Sequence, residues 1–201
     1  MEKRVRMPRR STGQARSQRS YALLLLLLAA LLLPACQIDG LPGLLSREGA
    51  GAVDSTSGAL SQWAVSATAS SAYGRPDWSP NRATGAPVVN ACADDARAWA
   101  SARGRGVEWL ELSYSRPLHA TEVHVHQTFG RGAISRITLI DVEGNAQVVW
   151  EGHDVAEPCP GVLVARMEPT VEKVATVRID LDESRTGTWN QIDAVELVGL
   201  P

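Results

Sequence analysis

Trp109-Leu-Glu-Leu-Ser-Tyr114 and Glu122-Val-His-Val-His-Gln127 decide the fold. In the first run Leu110, Leu112 and Tyr114 alternate with polar neighbours. In the second, Val123 and Val125 share one face while His124 and His126 share the other. Successive side chains of a strand point to opposite faces, so each run is a strand half-buried on a sheet. Working outward, Ile137-Thr-Leu-Ile-Asp-Val142 is mostly apolar, as expected of a strand covered on both sides. Gln147-Val-Val-Trp150 follows the Gly144-Asn145 turn and predicts a hairpin. Val177, Ile179 and Leu181 alternate within 174–181, and Ile192–Val198 is the last strand. No stretch beyond the first 36 residues sustains helical periodicity over three turns; only Asp94–Ala102 suggests one short helix. The expectation is all-β, with two sheets stacked so that the alternate faces bury each other. Six tryptophans against a single phenylalanine supply the bulk, and Trp63, Trp99, Trp109 and Trp150 are read as core.

Upstream of the strands the texture is different. Lys3, Arg4, Arg6, Arg9, Arg10, Arg16 and Arg19, opposed only by Glu2, precede the leucine run Tyr21–Cys36, which stops at Leu33-Pro34-Ala35-Cys36. A basic leader, an apolar stretch of about a dozen residues and a small residue at the break form an export signal. The run falls short of the roughly 20 apolar residues a membrane span needs. The segment resembles a bacterial lipoprotein signal, in which the cysteine becomes the lipidated first residue; Pro34 is uncommon in that pattern, and an ordinary secretory signal is the alternative. The first reading makes 1–35 the signal peptide and Cys36 the lipid anchor on an extracytoplasmic membrane face. Residues 36–61, rich in Gly, Ser, Ala and Asp and without aromatics, then form a flexible tether, and 62–201 the folded domain.

Removing the leader changes the charge. The full chain has 20 Lys+Arg against 22 Asp+Glu. The leader takes seven of the bases and one of the acids, which leaves thirteen against twenty-one, a net −8. Such a surface repels phosphate backbones, so nucleic acid is not an expected partner. With Cys36 on the lipid, Cys92 and Cys159 remain as an even pair in an oxidising compartment, and a disulfide between them is expected. In the chain-entropy model it stabilises the fold by about 4–5 kcal/mol. Two separate buried thiols are the alternative.

Several blocks together resemble the discoidin, or coagulation-factor type C, modules of the galactose-binding-like family. They are Trp63-Ala-Val-Ser-Ala-Thr-Ala-Ser-Ser71, Ala83-Thr-Gly-Ala-Pro87, Ala98-Trp99-Ala100, Trp109-Leu-Glu-Leu112 and the ending Trp189-Asn-Gln-Ile-Asp-Ala-Val-Glu-Leu-Val-Gly199. The likeness spans roughly Gln62 to Gly199. It implies a jelly-roll sandwich that binds sugars, lipid headgroups or proteins through loops at one end, without catalysis. It also implies a structural calcium, but the usual Asp-Gly-Asn loop is replaced here by Thr84-Gly85-Ala86. Asp94 and Asp95 stand as substitutes, and the family's late calcium-binding Glu aligns with Ala194, beside Asp193 and Glu196. The calcium set to test is therefore Asp94, Asp95 and Glu196, against the reading that these acids are solvated or cap loops.

Catalytic chemistry finds few carriers. His124 and His126 could begin a metal site but more simply line a polar sheet face. No Gly-x-Ser-x-Gly or His-Glu-x-x-His motif occurs, and the odd spacing of Glu108 and Glu111 sends them to opposite faces. Binding has better candidates. Tyr73-Gly-Arg-Pro-Asp-Trp78 offers Tyr73 and Trp78 as stacking faces with Arg75 and Asp77 as hydrogen-bonding groups, and Phe129-Gly-Arg-Gly132 adds Phe129 and Arg131. Arg185-Thr-Gly-Thr-Trp189 offers a third aromatic, though Trp189 reads as a plug for the end of the sandwich, and the same role stands open for Tyr73 and Trp78. The expected function is a membrane-anchored module that recognises a glycan or glycoconjugate. The alternative is a non-catalytic envelope module that holds a protein partner.

Overall fold

The computed structural model describes residues 58–201. The expected signal peptide (1–35), Cys36 and nearly all of the expected tether lie outside the described residues. Nine strands follow in order: β1 (Leu60–Trp63), β2 (Ser66–Ala69), β3 (Trp99–Ala100), β4 (Val107–Phe129), β5 (Ile134–Asp141), β6 (Ala146–Glu151), β7 (Gly161–Arg166), β8 (Val174–Asp182) and β9 (Gln191–Leu200). The first strand begins two residues before Gln62, because Leu60 pairs with Gly199 of β9.

The two alternating runs that announce the fold are one continuous strand. β4 changes partners midway: Val107 to Leu118 pairs with β8, and His119 to Phe129 pairs with β9. The register breaks between Ser113 and Leu118, where Pro117 has no N–H to contribute to a ladder. One half of β4 therefore belongs to the sheet β2-β4-β8-β5-β6, the other to the sheet β1-β9-β4-β7, with β3 beside β9. All pairings are antiparallel. This is the expected all-β sandwich of galactose-binding-like type.

Alternation places the core between the sheets. Leu110, Leu112, Val123, Val125, Ile137, Val177, Ile179, Leu181, Ile192, Val195 and Leu197 are fully buried. At roughly 1.5–3 kcal/mol for each side chain removed from water, these contacts dominate the fold. Of the tryptophans read as core, only Trp99 is completely buried. Trp109, one residue out of phase with Leu110, faces outward beneath the Arg178 guanidinium, 4.6 Å from the ring centroid. Trp63 meets His126 edge-on at 5.4 Å, and Trp150 is partly buried against the core edge. The correction follows from strand parity, which outranks residue type.

The short helix expected over 94–102 does not form. Ala98, Trp99 and Ala100 are buried, and Trp99 pairs with Ile192 as a strand. The hairpin at Gly144 does form between β5 and β6. Gly144 has φ of +91°, and the Asp141 carboxylate accepts from the Glu143 and Asn145 N–H groups at 2.9 and 2.8 Å. Cys92 and Cys159 form the expected disulfide, with Cα atoms 5.2 Å apart and a sequence separation of 67.

Candidate functional site

Three loops meet at one end of the sandwich. The first, 70–78, is anchored by the Tyr73 N–H to the Ala100 carbonyl at 2.9 Å and by the Trp78 N–H to the Ala96 carbonyl at 3.0 Å. Trp78 has φ of +52°, a conformation that costs a bulky residue energy and persists only where its surroundings impose it. Here the imposition is visible: its indole N–H donates to Asp94 Oδ1 at 3.0 Å. That same oxygen accepts from Gln191 Nε2 at 2.5 Å.

The second loop follows β4. Gly130 has φ of +56°, and a Cβ there would collide with the Trp189 carbonyl. Glycine is required at this point by close approach. The third loop, 185–190, is held by Asn190, whose Nδ2 donates to Gln127 Oε1 at 2.6 Å and to the Gly130 carbonyl at 3.2 Å. Beneath it lies Glu183, completely buried. It accepts from the Asn190 N–H at 2.9 Å and from the Ser101 hydroxyl at 3.0 Å. Burial pushes its carboxyl up to about 7.

The result is a shallow aromatic pocket of about 50 Å³ lined by Tyr73, Trp78, Asp94, Ala100, Phe129, Trp189 and Gln191. Tyr73, 56% exposed, stands edge-on to both tryptophans, 5.2 Å from Trp78 and 5.6 Å from Trp189. Apolar faces around two fixed hydrogen-bonding groups suit a ring that is apolar on its faces and polar at its rim.

Of the residues expected here, Tyr73, Trp78 and Phe129 come together. Arg75 lies on the other flank of the first loop, lining a groove of about 550 Å³ along β2 with Ser70, Ser71, Pro76 and Asn81. Asp77 is engaged by Arg82 at 2.9 Å. Arg131 is a correction. Its side chain is 1% exposed, paired with Asp154 at 3.6 Å and donating to the Pro158 carbonyl, so it offers nothing to a ligand. Trp189 is the opposite correction: read as a plug, it is 36% exposed and forms one wall of the pocket. Asp94 and Gln191 were missed as pocket residues. Gln191 opens β9 immediately after the loop that bears Trp189, and no periodicity in that loop could have marked it.

The proposed calcium set does not assemble. Asp94 serves Trp78 and Gln191, and Asp95 is clamped by Arg97 at 2.6 Å, which drops its carboxyl to about 2. Glu196 lies on β9 against His124 at 2.9 Å and accepts from the Ser61 hydroxyl. Among the described residues no three acidic, histidine or cysteine side chains gather as metal ligands, His124 and His126 included. Asp193, beside the aligned position, accepts from the Val88 and Val89 N–H groups at 2.8 and 2.9 Å. Both go to Oδ2, while Oδ1 is buried without a partner. Calcium wants six to eight oxygens, and among the described residues no cluster of three acidic, histidine or cysteine side chains supplies them.

The architecture is that of the galactose-binding-like sandwiches found as carbohydrate-binding modules. Chitosan-binding module 1 of a chitosanase/glucanase from Paenibacillus sp. IK-5 superposes with a TM-score of 0.51 at 18% identity, covering 66% of this chain and 92% of that one. The CBM32 module of AlyQ, solved with 4,5-unsaturated mannuronic acid, gives 0.51 at 18%, covering 69% and 97%. A pectin-binding carbohydrate-binding module gives 0.52 at 16%, covering 67% and 89%. At these identities the likeness speaks for the fold. The chain belongs to the family described as Pappalysin-1, SD scarf domain, C-terminal, whose model matches residues 54–201. A search among curated proteins finds no match.

Proposed function

We propose that this protein is a carbohydrate-recognition module, held at an extracytoplasmic membrane face by lipid on Cys36 and spaced from it by the tether of residues 36–61. The observation that carries the reading is the meeting of Tyr73, Trp78, Phe129 and Trp189 around Asp94 and Gln191 at the loop end. A sugar ring stacks on the aromatic walls, and its hydroxyls meet Asp94 Oδ2 and the Gln191 amide. Because Asp94 accepts from both the Trp78 indole and the Gln191 amide, and Gln191 in turn accepts from the Asp95 N–H, these groups orient a ligand rather than react with it. The module acts by binding, and affinity rises through many copies on one membrane. The solved neighbours that bind chitosan, mannuronic acid and pectin use the same sandwich.

The test is a glycan array probed with the full chain and with Trp78→Ala, folding being checked by near-UV circular dichroism. Binding that vanishes in the folded variant supports the reading. A blank array together with a stoichiometric envelope protein in the purified sample would replace it with the protein-partner function. For the anchor, fatty-acid labelling of the chain should disappear in Cys36→Ser; labelling that persists would defeat that part.

A further inference from the structure

Charge is distributed unevenly along the domain. Residues 73–105, which build most of the loop end, carry five arginines against three aspartates; residues 106–201 carry seven Lys+Arg against fifteen Asp+Glu. A local positive balance on a chain with a negative surplus elsewhere points to a site for negative charge.

The ion pairs sharpen this. Arg82 is neutralised by Asp77, and Arg97 by Asp95. Arg82 also donates to the Pro76 carbonyl at 3.3 Å, so it ties Asp77 down beside the first loop. Among the described residues Arg75, Arg103 and Arg105 are exposed and enter no ion pair, as is true of Arg116 and Lys173 outside this stretch. Arg103 and Arg105 flank Gly104, whose position leaves room for only 3.0 Å between a Cβ and the Trp189 nitrogen. The loop that bears them therefore packs on the backbone of the aromatic wall.

Glu108 is buried and takes the hydroxyls of Ser70 and Ser71. Asp94 sits in the aromatic pocket, which disfavours an anionic substituent there and moves it to the other flank of the loop. Arg75 is on that flank, two residues from Tyr73, so their Cα atoms are at most about 7 Å apart. A ligand with a neutral ring on the aromatics and an anionic group on the adjoining unit would satisfy both sides of the loop.

We infer that the ligand is an anionic glycan, with a sugar ring in the Tyr73–Trp78–Trp189 pocket and a carboxylate or sulfate of a neighbouring unit on Arg75 in the β2 groove. This rests on the glycan reading above. A guanidinium suits either group because its planar fork donates two parallel hydrogen bonds.

The test uses the full chain in detergent with three probes: an oligogalacturonate, the same oligomer fully methyl-esterified, and a sulfated oligosaccharide. The acidic probe should bind at least tenfold tighter than its ester at low salt, and the difference should shrink as salt screens the charges. Arg75→Gln should bring acid and ester to the same affinity while leaving Trp78→Ala the more damaging change. Tight binding of the sulfated probe alone would support the anion site and assign the group to sulfate. Equal binding of acid and ester, unaffected by Arg75→Gln, overturns this inference and leaves the glycan module standing. Failure of all three probes together with a blank array removes the glycan reading itself.

Discussion

Two loops bring an aromatic residue and an arginine to the same end of the sandwich, and the two arginines have opposite fates. In Tyr73–Trp78, Arg75 stands in an open groove. In Phe129–Gly132, Arg131 is enclosed by Asp154 and by the carbonyl of Pro158. The local patterns are similar, since both pair an aromatic with an arginine beside glycine. The difference comes from a segment far away in the chain. Residues 154–161 fold over Arg131, the Cys92–Cys159 disulfide holds that segment down, and Gly161 leaves the space that a Cβ would take from the guanidinium. Among the described residues no comparable segment crosses Arg75, which is exposed. An arginine is a ligand group or a structural ion according to what a distant strand connection does to it.

The comparison breaks most severely at its clamp. Replacing both cysteines by serine should cost about 4–5 kcal/mol and release the cover over Arg131, read as a fall in denaturation midpoint with a matching gain in proteolysis near Pro158. Arg131→Ala leaves Asp154 buried without its cation, at a cost of about 3–5 kcal/mol; a midpoint within error of wild type would show that Arg131 is not enclosed. Glu183 tests the same end through pH. Its carboxyl stands at about 7 in the fold against 4.5 as the ordinary value, so the folded state holds the proton more tightly. The stability from this group is complete below about pH 4.5 and is lost as pH rises through 7, on the order of 3 kcal/mol. Protonated, the acid donates to Ser101, which donates on to the Arg103 carbonyl at 2.8 Å. Glu183→Gln keeps that chain and should flatten the decline in melting temperature between pH 5 and 8; an unchanged slope would remove Glu183 as its source. Gly130→Ala forces a side chain against the Trp189 carbonyl and should cost roughly 1–3 kcal/mol, with a change in tryptophan fluorescence as the pocket wall shifts. Smallest is Arg75→Gln, which should alter stability by no more than about 0.5 kcal/mol and would thus separate ligand binding from folding.

Much of the fold was legible because alternation is a local property. Leu110, Leu112, Val123, Val125, Val177, Ile179 and Leu181 were each placed correctly by period alone, and all are fully buried. Where residue type was allowed to override period, at Trp109, the reading failed. The site was legible in part. Tyr73, Trp78 and Phe129 share a pocket, while Trp189 reads from the sequence as an end plug but stands 36% exposed as a pocket wall, and Arg131 reads as a ligand group but is buried. Both errors concern exposure in loops, where no periodicity exists to read.

The amino-acid sequence by itself determined the long strands β4, β5, β6, β8 and β9, the Cys92–Cys159 pairing, the resemblance to galactose-binding-like modules and the uneven distribution of charge, but not the short strands β1, β2, β3 and β7. These depend on alternation, on cysteine number and on composition, all carried by neighbouring residues or by counts. Only the tertiary structure decided that the two alternating runs are one strand serving both sheets, that Asp94 holds the Trp78 indole instead of a cation, and which arginine remains open. The physical reason is common to all three: each outcome depends on which group from a distant segment arrives first at a donor, an acceptor or a charge.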